Sequence, residues 1–220
     1  MNKKNLSVIS KKSSFDHIVN TIKAIFSSLP FAGGIATLIE DYIPKSTENS
    51  LNNFLSDLKD HLERLEGRIE IEFLNKDEFA ELFKSCYLGV VRTTQRNKIK
   101  IFSRMVANIL LKEGDIEKVS YSELDHLVRA MDNLSIGALR ILIIIYKHCS
   151  ETKDHRFNFL NINSKIPDLD PSLIMGLISE LNSTNLVHMT GVPGVRTPDY
   201  ANYPIELTEL GSRFVERFAF

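Results

Sequence analysis

The chain contains no tryptophan and only two cysteines among its 220 residues. Cys86 and Cys149 each lie in an apolar helical pattern, which argues against a disulfide framework and for two buried thiols in a reducing compartment. A basic excess is missing too. The 27 Lys and Arg are offset by 28 Asp and Glu, so overall charge does not advertise a polyanionic partner. Metal-ligand spacing is absent: the six histidines are dispersed, and neither His-x-x-x-His nor Cys-x-x-Cys occurs. His148, Cys149 and His155 are neighbours in sequence but bring no further ligand with them, so neither metal nor cofactor is expected. His148 and Cys149 make no nucleophile pair either, because adjacent helix residues point apart. The Gly33-Gly34 pair lacks the Lys-Ser/Thr that follows a phosphate-cradling loop. With no catalytic constellation in view, a non-enzymatic protein is expected.

Long apolar runs are also missing. The uncharged stretch Ala24 to Ile39 has 16 residues, broken by Pro30, Gly33 and Gly34, and falls short of the roughly 18 to 20 needed to span a bilayer as one helix. It starts late for a signal peptide and meets Glu40 and Asp41 rather than a small-residue cleavage site, so a cytoplasmic location is expected.

What is present is ample core material, with 43% hydrophobic residues and 13 Phe, enough for one large or two small domains. Charge is distributed unevenly: +3 for residues 1 to 45 (6 basic, 3 acidic), −3 for 46 to 133 (13 and 16) and −1 for 134 to 220 (8 and 9). Residues 1–14, with Lys3, Lys4, Lys11 and Lys12, read as a mobile basic arm. Ile18, Val19, Ile22, Ile25 and Phe26 then recur at helical spacing, Pro30 breaks the pattern, and Phe31 to Tyr42 resumes it. Residues 15–43 therefore read as an apolar hairpin. It can pack on a helical bundle or meet a membrane surface beside the basic arm.

The strongest periodicity follows. Leu51, Leu55, Leu58, Leu62, Leu65 and Ile69 alternate steps of four and three, which predicts a heptad helix over 47–74 that lies against another helix of the chain or forms a homodimer stripe. Glu63, Glu66, Glu70 and Glu72 with Arg64 and Arg68 read as its solvated face, with Arg64 and Arg68 pairing at i,i+4. Two more helical patterns run through Phe79 to Val91 and Ile99 to Leu110, with Thr93-Thr94 as the joint. Ser120 and Glu123 form a capping box for a helix carrying Leu124, Leu127, Val128 and Met131. Residues 15–133 are thus expected as a helical domain.

Beyond Ser135 the pattern changes. The continuous apolar block Ile141 to Ile145 predicts a helix buried on all sides, the hub of a C-terminal domain over 134–220. A helical stretch Pro171 to Ser183, the hydrophobic hairpin opened by Asn185 to Met189, and a closing helix after Leu207-Thr208-Glu209-Leu210-Gly211 follow in the order of a winged helix. The fold class expected is mainly α, an N-terminal helical bundle followed by a winged helix with a small β-hairpin.

Phe79-Ala80-Glu81-Leu82-Phe83, then Phe102-Ser103-Arg104-Met105-Val106-Ala107-Asn108-Ile109-Leu110, resembles the bacterial abortive infection alpha proteins, which carry a similar aromatic or leucine, Ala-Asn-Leu-Leu helix before a loop. Leu134-Ser135, Leu177-Ile178-Ser179-Glu180-Leu181, Asn185-Leu186-Val187 and Leu207-Thr208-Glu209-Leu210-Gly211 match in order, so the resemblance covers about residues 76–218. It implies a phage-defence setting and carries over no catalytic residue.

A DNA-reading winged helix places Arg, Lys, Asn or Gln on its second helix, and basic groups on phosphates. Pro171 to Ser183 contains no Lys or Arg, and Asp168 and Asp170 at its start repel phosphate. Lys165 and Arg196 are the contacts if nucleic acid binds. The wing, His188 to Tyr203, offers Arg196, Tyr200 and Tyr203 for a protein partner. The leading expectation is an interaction or regulatory protein acting by protein docking. A DNA-binding regulator and a membrane-acting effector that uses residues 15–43 are the alternatives.

Overall fold

The computed structural model describes residues 48–65, 67–70, 74–152, 156–189 and 204–219. The basic arm and the hairpin over 15–43 lie outside the described residues. Contacts gather into two compact units, Met1–Val128 and Arg129–Phe220, so the division falls inside a helix rather than at residue 133. The described part is mainly helical with one small antiparallel sheet. Among the described residues, no helix is long and apolar enough to cross a membrane.

The first unit is organised around three helices: α1 (Glu48–Arg64), α2 (Lys76–Arg92) and α3 (Arg96–Ile109). Asn75 caps α2 through its side-chain oxygen, which accepts from the backbone N–H groups of Asp77 and Glu78. Thr93 turns extended and ends that helix, and its carbonyl accepts from the Ser50 hydroxyl at 2.9 Å. Helix α3 packs against both α1 and α2. Phe54, Leu82, Ile99, Phe102 and Met105 fill the space between them and are essentially inaccessible to solvent.

The heptad helix is shorter than its sequence pattern predicts. It stops at Arg64 rather than running to 74, because Gly67 takes φ +81°, a conformation that ends helices. Leu65 and Ile69 therefore leave the stripe. Ile69 instead forms an antiparallel bridge with Leu111, flanked by hydrogen bonds from Glu70 N to Leu110 O and from Lys112 N to Arg68 O. Arg68 does not pair along a helix either: its guanidinium clasps Asp115 at 2.7 and 2.9 Å and reaches Glu117 at 3.1 Å. On α1 the inward row is Leu51, Phe54, Leu58 and His61, while Leu55 and Leu62 are half-buried. The helix meets two neighbours, and this rotates its buried face away from a strict seven-residue seam.

The loop after α3 is held by a buried asparagine. Asn108 donates to Glu117 O at 2.7 Å and accepts from Val119 N at 2.9 Å, closing residues 110–119 onto the helix end. The Ala-Asn pair that carries the sequence resemblance thus has a structural task. Helix α4 (Tyr121–Asn133) follows, and the Ser120 hydroxyl accepts from Glu123 N as the capping pattern predicts.

In the second unit α5 (Ile136–Thr152) is the hub, in contact with nearly every other element. Ser135 caps it by accepting from Ala138 N. Ile141, Leu142 and Ile145 are fully buried, but Ile143 and Ile144 are only half-buried, so the helix is not enclosed on all sides. Then come β1 (Arg156–Asn158), α6 (Phe159–Lys165), α7 (Pro171–Ser183), β2 (Val187–Met189), β3 (Pro204–Leu207) and α8 (Glu209–Phe214), which closes in a π-helical turn over Val215–Ala219. The sheet order is β1-β3-β2, both pairs antiparallel, with Phe157 opposite Ile205 and Met189 opposite Ile205. Strand β1 and helix α6 are elements that the sequence patterns do not announce.

Two motifs separated in sequence lock together here. Asn185 adopts φ 58°, and the Leu186 backbone returns to Leu181 O. The Thr208 hydroxyl accepts from Gly211 N and is itself within 2.7 Å of Asn185 O and 3.0 Å of Leu186 O. Gly211 lies so close that a Cβ there would stand 2.0 Å from Leu186 O. Only glycine fits that backbone approach.

Candidate functional site

Helix α7 exposes an uncharged face. Asp170 caps it by accepting from Ser172 N and Leu173 N, and the Ser172 hydroxyl, which also donates to it, leads these bonds in holding the Asp170 carboxyl below its usual range. Ile174, Leu177, Ile178 and Leu181 turn inward. Ser172, Leu173, Gly176, Ser179 and Ser183 face solvent, with Leu173 about half exposed at 49%. The polar side chains that could read a base are committed elsewhere. Glu180 accepts from Ser135 N at 2.9 Å, and Asn182 accepts from Met189 N at 3.0 Å.

Of the residues singled out by sequence, Lys165 is exposed in the last turn of α6. Arg196, Tyr200 and Tyr203 lie outside the described residues. Asp168 is paired at 3.7 Å with Arg140 on α5, an exposed contact worth little. Of the heptad residues, Leu51 and Leu58 are already buried within the chain, at 3% exposure each. Leu55, Leu62, Leu65 and Ile69 are half-buried.

A second surface, not singled out by sequence, lies in the first unit along the seam of α1 and α3. Arg96, Lys100 and Arg104 are spaced i, i+4, i+8 on α3, one face of the helix. Asp57, His61 and Arg64 line α1 in the same way. Arg96 grips Asp57 with both guanidinium nitrogens, Nη2 donating to Oδ1 at 2.7 Å and Nη1 to Oδ2, and Nη1 also reaches Asn53 O at 3.4 Å. The Asp57 side chain is only 10% exposed, so this pair is more than a surface ornament.

His61 is the unusual member. Its residue is 8% exposed, and its Nε2 is the one buried side-chain polar atom among the described residues without a hydrogen-bond partner. Such an atom costs about 1–3 kcal/mol. Burial holds its pKa down to about 4, aided by the positive charges of Arg104, Arg64 and Lys100 and opposed by Asp57. The imidazole is therefore neutral at pH 7. The Arg104 guanidinium is also pushed down, by burial first and then by Arg64.

The sequence held a signal for this surface. Between Glu81 and Glu113 there are seven Lys and Arg and no acid: Lys84, Arg92, Arg96, Lys98, Lys100, Arg104 and Lys112. Summed over residues 46–133, the acids of the flanking segments hide it. His61 could not have been picked out, since its isolation is a matter of packing.

Elsewhere the reactive groups are quiet. Cys86 and Cys149 are buried thiols outside any disulfide, and burial pushes the Cys86 thiol far up, away from the thiolate. The His148 ring stands edge-on to Phe157 at 4.5 Å. Among the described residues, no cluster of three or more His, Cys, Asp or Glu could hold a metal ion. Comparison of the chain with protein-family models, with curated proteins and with solved structures returned no match.

Proposed function

We propose that the second unit is a winged helix used for protein docking, and that the chain is a non-enzymatic interaction protein of the abortive infection alpha kind, serving phage defence. The element order helix, strand, helix, helix, strand, strand supports the winged-helix reading, as does a sheet in which the last strand lies between the other two. The resemblance motifs also have a consistent physical reading, because Asn108, Thr208 and Gly211 each fasten a turn.

The observation that carries the docking reading is the outward face of α7. A helix that enters the major groove needs donors for base edges and cations for phosphates, and here Ser172, Leu173, Gly176, Ser179 and Ser183 supply neither cation nor guanidinium. Small residues around one exposed leucine suit a protein surface, where close approach and a single apolar anchor matter more than charge.

Two measurements on the full chain test this. Capture of partners from a bacterial host by the wild type, compared with Leu173→Asp, is expected to lose a specific partner in the variant while its melting temperature is unchanged. Identical capture would remove α7 as the docking face. Binding to random duplex DNA at low salt, compared with Lys165→Gln, is expected to show no dependence on Lys165. Salt-sensitive binding that falls in the variant would return the unit to the DNA-regulator reading.

A further inference from the structure

We infer that the groove between α1 and α2, on the side away from α3, is the seat of the chain's own segment Phe31–Tyr42. The segment lies outside the described residues, and the groove is defined by the side chains that border it. Asp57 is held by Arg96 of α3 and so marks the side of α1 that faces α3. Leu55 stands two residues before it, and side chains two apart on a helix point about 200° from one another. Leu62 shares the Leu55 face at i+7. On α2 the side facing α3 is marked by Gly89, where a Cβ would stand 2.5 Å from Phe102 Cζ. Tyr87 and Val91, two residues to either side of Gly89, turn the other way. The two helices meet at Phe54 and Phe83, whose ring centroids are 6.2 Å apart. They run antiparallel, since Ser50 at the start of α1 donates to Thr93 O at the end of α2.

Leu55 and Leu62 thus form one wall of an apolar groove, with Tyr87 and Val91 as the other. All four are half-buried, and Leu88 beside them is 39% exposed. The outward side of α1 is polar instead, with Asn53, Ser56, Asp60 and Arg64 all exposed. A further helix laid on this unit buries apolar area only along the groove. The chain supplies one at short range. Phe31, Ile35, Leu38, Ile39 and Tyr42 recur at i, i+4, i+7, i+8 and i+11, a single apolar face, with Thr37 and Glu40 opposite. Residues 43–47 alone separate this segment from α1, and so short a connection makes neighbouring helices antiparallel. As a helix, its twelve residues span roughly 18 Å, enough to cover the roughly 10 Å from Leu55 to Leu62. The tether also gives an effective concentration on the order of millimolar, which a second copy or a separate protein has to exceed. Seated here, the segment is withheld from a membrane surface, the other place where its apolar face would be buried.

Hydrogen exchange on the full chain tests the seat. In the wild type the amides of 31–42 are expected to exchange at least roughly tenfold more slowly than in a free peptide of the same sequence, at any protein concentration. Leu62→Asn and Val91→Asn, one from each wall, are each expected to restore peptide-like rates in 31–42 while Ile101 to Ile109 of α3 stay protected. Asp60→Asn, on the outward side of α1, is the control and is expected to change nothing. Leu38→Asp is made in the segment itself, so it decides the matter even where a wall variant fails to fold. It is expected to speed exchange across both 55–62 and 87–91. Wild-type rates equal to those of the peptide, or walls that do not respond to Leu38→Asp, would overturn the inference. Protection of 31–42 that disappears on dilution would overturn it in favour of a second copy. Protection that arises only with added vesicles of zwitterionic and anionic phospholipid in equal parts would overturn it in favour of a membrane surface.

Discussion

Helix α3 turns Ile99, Phe102, Val106 and Ile109 into the first unit, and α7 turns Ile174, Leu177, Ile178 and Leu181 into the second. Both are fastened at their C-terminal ends by asparagines that bond loop backbone, Asn108 to Glu117 and Val119 in one, Asn182 to Met189 in the other. Their outer faces differ sharply. Helix α3 carries Arg96, Lys98, Lys100 and Arg104 and no acid, whereas α7 carries no base and has its one acid, Glu180, bonded to the N-terminus of α5. Inner faces make the fold, and outer faces are free to differ in charge. The helix without cations is α7, while the cations sit on a helix of the first unit.

The sharpest way to break this comparison is to unfasten the turn that holds α7. Gly211→Ala would place a Cβ 2.0 Å from Leu186 O, a backbone atom that cannot rotate away. A loss of about 3 kcal/mol or more is expected in urea denaturation, since the clash is with main chain rather than a flexible side chain. A loss below about 1 kcal/mol would mean that the turn gives way easily.

The corresponding test on α3 is Asn108→Ala, which leaves Val119 N and Glu117 O without their partner. About 2–3 kcal/mol should be lost. Hydrogen exchange is expected to accelerate across residues 110–119, with β2 and β3 unaffected.

The charged seam adds a pH dependence centred on a histidine, at a higher pH than the carboxylate cap of α7. His61 takes its proton near pH 4 in the folded chain and near its ordinary value of about 6.5 when unfolded. Between those values the unfolded chain binds more protons, so the His61 contribution favours unfolding progressively as pH falls from 6.5 to 4. His61→Gln removes that slope. Its stability relative to wild type should rise as the pH is lowered through this window, as measured by denaturation at pH 7, 5.5 and 4.5, and a constant difference would contradict the buried, neutral imidazole.

The smallest effect is expected on the outer face of α7. Leu173→Asp should change stability by less than about 0.5 kcal/mol, because the side chain is about half exposed and makes no hydrogen bond. A larger loss would show that Leu173 supports the fold despite its exposure.

Particular residues show how far pattern alone reaches. Ser120, Ser135 and Thr208 are local signals, each satisfying a backbone N–H within three residues, and such signals are legible because they act over one turn. The Leu51 to Ile69 repeat misleads because periodicity cannot weigh Gly67 at φ +81° against the gain of one more helical turn, nor foresee that Phe54 and His61 point inward. Strand β1 has three residues and is defined by its pairing with β3 nearly fifty residues later, so no local pattern carries it. The cations of α3 were legible in the string, but only in a window the length of the helix.

By itself the sequence determined the helical character of the chain, the ends of most of its helices and the absence of Lys and Arg from α7, because propensity, capping and side-chain identity are local properties. Only the tertiary structure decided that Gly211 lies against Leu186, that Asn108 closes a loop, and that His61 is buried where cations of its own helix and of α3 act on it. Those facts depend on which distant atoms share a volume, and burial and electric field follow from that sharing rather than from order along the chain.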